Sequence, residues 1–183
     1  MDFNKLINVI NAGGIAIIPT DTVYGIVADA TNEIAIDKVF KVKKRDYKKP
    51  LIIMVSSIDM LLKYVDSISE LEMKLIKEYW PGKLTILFKK NSMLSDLINN
   101  SGELIGIRLP DNDDLITLID MLDKPLVSTS ANISEKNTIT CVDLIEDELY
   151  HSVDYIYDGG ILTDVPSTII KVVNNKIDFI RKG

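Results

Sequence analysis

Apolar residues recur at helical spacing over residues 3–12, where Phe3, Leu6, Ile7 and Ile10 share a face, and Gly13-Gly14 closes the stretch. Residues 15–18 are an unbroken apolar run, as expected of a strand covered on both faces. Pro19 lacks the N–H that would extend the ladder, so a turn of small polar residues follows: Thr20, Asp21, Thr22. Gly25 lets the backbone turn sharply or approach a ligand there. From Glu33, the positions Ile34, Ile36, Val39, Phe40 and Val42 predict a second helix. Pro50 then imposes extension, and residues 51–55 read as a second buried strand.

Ser57 starts a short helix, and Ser69-Glu70-Leu71-Glu72 has the capping-box form for another, running to Tyr79. Trp80-Pro81-Gly82 is a turn. Residues 83–89 set Leu84, Ile86 and Phe88 against a wetter face of Thr85, Leu87 and Lys89. A helical turn is expected over residues 94–98, a strand over 104–109, a helix over 113–122 and a strand from Leu126. Residues 141–149 read as helix and 153–157 as strand, and the chain closes in a hairpin of 168–173 and 177–180 about Asn174-Asn175. Alternating strands and helices predict one α/β domain over residues 1–183, a twisted, mixed, open sheet flanked by helices.

The chain has 183 residues and a net charge of −6, which argues against a broadly basic nucleic-acid binder. With one cysteine, Cys141, and one histidine, His151, there is no internal disulfide and no four-ligand Cys/His zinc site. His151 lies in a Tyr-His-Ser turn and reads as a solvated residue, not as half of a Cys–His dyad. No apolar run reaches the ~18 residues of a membrane span, and the N-terminus lacks the order of a signal peptide. A reducing, cytoplasmic location is the expectation.

Three strand ends are small and polar: 19–22, 128–132 (Ser-Thr-Ser-Ala-Asn) and 166–168 (Pro-Ser-Thr). Such groups suit a zwitterion or a sugar, although they also make turns and caps. Against the acidic background, Lys38, Lys41, Lys43, Lys44, Arg45, Lys48 and Lys49 form a basic run that is either a solvated face or a phosphate site. Arg108 and Arg181 each follow an apolar run, where a sheet can hold an anion contact firmly. Glycine-rich nucleotide loops and the hydrolase elbow are missing. Asp21, Asp29, Asp158 and Asp164 could bind Mg²⁺, but no spacing fixes a metal site.

In combination these motifs resemble the YrdC-like family. The resemblance rests on Lys43-Lys44-Arg45 followed by Lys49-Pro50-Leu51, on residues 19–25, and on Ser130-Ala131-Asn132, Arg108-Leu109-Pro110, Asp158-Gly159-Gly160, Ser167-Thr168 and Arg181-Lys182-Gly183, in the family's order. It covers residues 5–183 and is closest to the short, single-domain bacterial form. It implies synthesis of threonylcarbamoyl-AMP and pyrophosphate from L-threonine, bicarbonate or CO₂, and ATP, the adenylate then feeding a t⁶A-forming complex that modifies tRNA. By the same resemblance Lys43, Arg45, Ser130 and Asn132 would carry catalysis. Lys43, Arg45, Lys49, Asn132, Thr140 and Arg181 would hold ATP, with Mg²⁺ arriving on the nucleotide. Thr22, Arg108, Ser130 and Ser167 would hold threonine.

Three positions depart from the family pattern. Met54 replaces a histidine expected to touch threonine, Asp46 a proline inside the cation cluster, and Glu135 a glycine after Ser134. The alternative function is a module binding tRNA or double-stranded RNA along the basic run. A carbamoyl-transfer domain related to hydrogenase maturation is disfavoured by the chain's length.

Overall fold

Asp2 opens the first helix, α1 (Phe3–Asn11), by accepting the amide of Lys5 at 3.1 Å. The structure is a computed structural model and describes residues 1–163 and 165–183. Strand β1 (Ala16–Pro19) follows, and the chain turns back at once into β2 (Tyr24–Asp29), antiparallel to it with Pro19 opposite Tyr24. This corrects the sequence reading, which took the chain from the polar turn towards a helix. All residues of β2 are buried, so it lacks the alternation that marks a strand.

Asn32 caps α2 (Glu33–Val42) through the amides of Ile34 and Ala35. Beyond it lie β3 (Ile52–Met54), α3 (Ile58–Leu62) capped by Ser57, and α4 (Glu70–Tyr79) with the reciprocal Ser69–Glu72 capping box. Next come β4 (Leu84–Lys89), a 3₁₀ turn Asp96–Ile98, β5 (Leu104–Arg108), α5 (Asp113–Leu122) capped by Asn112, and β6 (Leu126–Ser130). The stretch read as one helix over 141–149 is instead a 3₁₀ turn Val142–Leu144 and a short α6 (Asp147–Tyr150). Extended backbone at Ile145 and Glu146 separates them, and the acidic Asp147 and Glu148 sit in the first turn of α6. Strand β7 (Tyr155–Ile156) is shorter than expected, whereas the hairpin of β8 (Thr168–Val173) and β9 (Lys176–Arg181) stands as read.

Nine strands form one sheet in the order β7-β1-β2-β6-β3-β5-β4-β8-β9. Parallel pairs (β1/β7, β3/β5, β4/β8) mix with antiparallel ones. Helix α1 packs on α5, β1 and β2, and α2 lies over β2. The face of β4 expected to be wetter is covered at its first residue, while Leu87 is half-buried and Lys89 exposed. Thr85 is fully buried, and its hydroxyl is satisfied by a hydrogen bond shared with Ser167 across 2.9 Å.

Leu51 is 1% exposed at the entry to β3, and its N–H donates to the Ile98 carbonyl at 2.9 Å. Leu51→Ala should cost about 2–5 kcal/mol. A denaturation midpoint close to that of the unsubstituted chain would show that the entry to β3 carries little of the core.

Candidate functional site

One cavity of about 230 Å³ opens where strand ends of both directions meet. Pro19, Ser130 and Arg108 close β1, β6 and β5, while Tyr24 and Thr168 open β2 and β8. Of the residues singled out by sequence, Thr22, Arg45, Arg108, Ser130, Ser167 and Arg181 line it.

The floor is the turn between β1 and β2. Thr20 donates to the Val23 carbonyl at 2.7 Å and accepts the amides of Thr22 and Val23 at 3.1 and 3.2 Å. Its single proton is thereby used, so Thr22 donates across the 2.9 Å gap between the two hydroxyls. Gly25 belongs here sterically. A Cβ would meet Ser128 Oγ and Thr20 Cγ2, each at 3.2 Å.

Arg108 is 4% exposed, and both Asp21 oxygens face its Nη1, at 2.8 and 3.0 Å. Asp21 also accepts the Asp111 amide at 3.1 Å. Nη2 is left pointing to Thr22 Oγ1 at 3.4 Å and Met54 Sδ at 3.8 Å. Burial lowers the Arg108 pKa and Asp21 opposes that shift. Met54 is fully buried behind this guanidinium and is absent from the cavity wall.

Arg45 owes its place to the end of α2. Its N–H reaches the Phe40 carbonyl at 2.9 Å and that of Lys44 reaches Lys41 at 3.0 Å, a Schellman pair with Lys44 left-handed at φ 50°. The Arg45 guanidinium donates to the Lys49 and Pro50 carbonyls at 3.0 and 2.8 Å. Arg181, at the end of β9, donates to the Ser167 carbonyl at 2.8 and 3.1 Å and to Ser167 Oγ at 3.2 Å. Burial lowers the pKa of both, with the Arg181 charge acting on Arg45 and the Arg108 charge on Arg181. Three guanidinium groups thus share a cavity in which, among the described residues, Asp21 pairs with Arg108 and no carboxylate pairs with Arg45 or Arg181.

Other expected residues lie elsewhere. Lys43 is 1% exposed and absent from the cavity lining. Its ammonium donates to the Ser130 carbonyl, to the Asn132 carbonyl at 2.6 Å and to Asn132 Oδ1 at 3.1 Å. Burial lowers its pKa to about 7, with Arg45 adding to the shift and Glu146 opposing it. Asn132 stands beside it, behind Ser130. Lys49 is on the surface against Glu135, and Thr140, also outside the cavity, accepts the Leu162 amide at 2.8 Å. Thr138 lines the wall instead, with Ser128 and Thr129 of β6. The two β6 residues fell within a polar stretch already marked, but no local signal singled out Thr138.

The basic run does not form one patch. Lys38 reaches the Gly13 carbonyl, Lys41 pairs with Asp37, Lys44 with Glu148 and Lys49 with Glu135. Asp46 accepts the Lys48 amide at 2.9 Å and does not line the cavity. Asp29 is taken by Thr31 and Lys124, and Asp158 by the Gly160 amide; Asp164 lies outside the described residues. Among the described residues no three His, Cys, Asp or Glu side chains group as a metal site, and no helix is long and apolar enough to cross a membrane.

Glu135 is left-handed, at φ 74°, where the family pattern has glycine. Its pair with Lys49 is exposed (51% and 82%) and contributes little. Glu135→Gly should therefore relieve strain and raise the melting temperature by roughly 1–3 °C. A fall would show that the Lys49 contact outweighs the backbone cost.

The family model described as telomere recombination, for Sua5, YciO and YrdC proteins, matches residues 8–183. A Methanocaldococcus jannaschii protein provisionally named threonylcarbamoyl-AMP synthase is 42% identical over 172 residues, covering 93% of this chain and 80% of its own. The threonylcarbamoyl-AMP synthase of Pyrococcus abyssi is 31% identical over 175 residues. Here 95% of this chain is covered, yet the match spans only about half (52%) of the Pyrococcus protein. The crystal structure of P. abyssi Sua5 complexed with L-threonine superposes with a TM-score of 0.93 at 30% identity, over 98% of this chain and 53% of that one. Escherichia coli YciO, at 23% identity and a TM-score of 0.89, shares the fold.

Proposed function

The chain belongs to the Sua5/YciO/YrdC family, and from that premise we propose that it is a threonylcarbamoyl-AMP synthase, a nucleotidyltransferase joining L-threonine, bicarbonate or CO₂, and ATP. The observation that carries this reading is the convergence of Arg45, Arg108 and Arg181 on one hydroxyl-lined cavity in which, among the described residues, a carboxylate pairs with Arg108 alone. Such a cavity calls for anions, and both a carbamate and a triphosphate are anionic.

Threonine lies on the turn between β1 and β2. Its carboxylate meets Nη2 of Arg108, whose contacts to Thr22 and Met54 are long, and Thr22, Ser130 and Ser167 surround the rest. The amine captures CO₂ as a carbamate, losing a proton. A carbamate oxygen then attacks the α-phosphorus, and the bond to the β,γ-pyrophosphate breaks. Arg45 and Arg181 offset the repulsion between the reactants and the charge growing on the leaving group. Ideal in-line positioning alone is worth up to ~7–11 kcal/mol, so no covalent nucleophile is needed. A 230 Å³ cavity suits an amino acid and the reacting phosphate. The nucleoside therefore lies outward, past Pro50 and Thr138. Mg²⁺ arrives on the phosphates, since Asp21, Asp29 and Asp158 are engaged within the protein. In this reading the adenylate passes to a t⁶A-forming complex that modifies tRNA, with a cytoplasmic location proposed for both. A separate role in binding tRNA or double-stranded RNA needs a continuous basic face, and the paired lysines give that reading less support.

The test is pyrophosphate release by the purified chain. Release is expected only when threonine, bicarbonate and Mg·ATP are all present. A folded chain that stays inert with all of them overturns the proposal.

A further inference from the structure

We infer that Lys43 is a positioning residue, a latch holding residues 130–138 so that Ser130 and Thr138 form one side of the cavity. The catalytic consequence rests on the synthase reading, but the latch itself does not. Lys43 is the C-terminal cap of α2, and it grips the segment from both ends of the residue. Its carbonyl accepts the Ser134 amide at 2.9 Å. Its ammonium donates to the carbonyls of Ser130 and Asn132 and to Asn132 Oδ1. An ammonium has three protons, and all are matched by this one segment.

Asn132 carries the restraint further along. Its Oδ1 also accepts Ser130 Oγ at 2.5 Å, and its amide nitrogen donates to the Lys136 carbonyl at 2.5 Å. The flanking ion pairs, Lys49–Glu135 and Lys136–Glu146, are solvent-exposed on their lysine sides and add little. Ile133 within the segment and Ile139 just beyond it are buried, and the polar residues 134–138 lie between them. Without the ammonium, the Asn132 carbonyl loses its donor, while Asn132 Oδ1 keeps Ser130 Oγ and the Ser130 carbonyl keeps the Asn132 amide; water entering to take the place of the ammonium would loosen the path of those residues.

The rival role is a direct contact from Lys43 to phosphate, and the two roles respond differently to Lys43→Met and Lys43→Arg. Amide hydrogen exchange on the ligand-free full chain gives a readout independent of catalysis. Lys43→Met should speed exchange in residues 133–138 at least tenfold while α5 stays protected. Lys43→Arg should fail to restore it, because a planar guanidinium cannot aim three donors from one nitrogen. Both variants should lower kcat more than tenfold and leave the KM for ATP within about threefold. Unchanged exchange in Lys43→Met, or a raised KM for ATP that Lys43→Arg repairs, overturns the latch. Should Lys43→Met also unprotect α5, Asn132→Ala carries the same exchange test with the lysine in place. If the unsubstituted chain makes no pyrophosphate, the synthase reading falls while the exchange data still decide the latch.

Discussion

Arg45→Ala should lower turnover by roughly two to three orders of magnitude, the usual cost of losing one donor aimed at developing charge. The melting temperature should stay within about 2 °C. The two effects separate because of where the guanidinium sits. Its protein partners are the carbonyls of Lys49 and Pro50, on exposed residues, and water replaces the guanidinium there at small cost. The Schellman pair that places the residue uses backbone only and survives the substitution. Removing Arg45 also relieves its repulsion with Arg181, which further limits any loss of stability. Pyrophosphate release and thermal unfolding on one preparation check both halves. A large fall in melting temperature would make Arg45 a structural residue.

Arg108→Met should behave in the opposite way, destabilising the fold by about 3–5 kcal/mol and abolishing measurable threonine binding. The cost arises in the partner. Asp21, with a side chain 3% exposed, would keep its Asp111 contact but lose the Arg108 cation that faces both its oxygens. A buried carboxylate without a counter-charge is among the costliest defects a core can carry. The double substitution Arg108→Met with Asp21→Asn should therefore recover much of the stability and none of the threonine binding. Calorimetric titration with L-threonine and thermal unfolding of the three proteins separate these terms. Additive losses in the double variant would show that the ion pair is not the source of the cost.

Local chemistry was legible wherever one stretch contains its own explanation. The Ser69–Glu72 box, the Asn112 cap with Asp113 and Asp114 behind it, and the turn at Asn174 and Asn175 (φ 50° and 57°) each depend on residues within a few positions. Strand β2 was not legible because burial on both faces erases the alternation. Thr22, Arg45, Arg108, Ser130, Ser167 and Arg181, each named from the sequence, line one cavity because each sits at or beside a strand or helix end. The direction of Lys43 was hidden. Its acceptors lie 87 and 89 residues away, and no local pattern tells an inward lysine from an outward one. The Asp21–Arg108 pair, 87 residues apart, was hidden for the same reason, and so Asp21 read as a possible metal ligand. Thr138 enters the wall on a loop that the lysine orients, so its place follows from tertiary structure alone.

The parallel seam between β4 and β8 bears on how the molecule assembles over time. Ser167 reaches Thr85 across 82 residues of chain, and Arg181 is held by Ser167. Hairpins such as β1/β2 close over short loops, whereas the cavity draws on pairings between distant strands, β4 with β8 and β2 with β6. Local secondary structure alone therefore does not assemble it, and a chain whose β8/β9 hairpin is undocked lacks the third arginine of the anion cavity however much helix and strand it has formed.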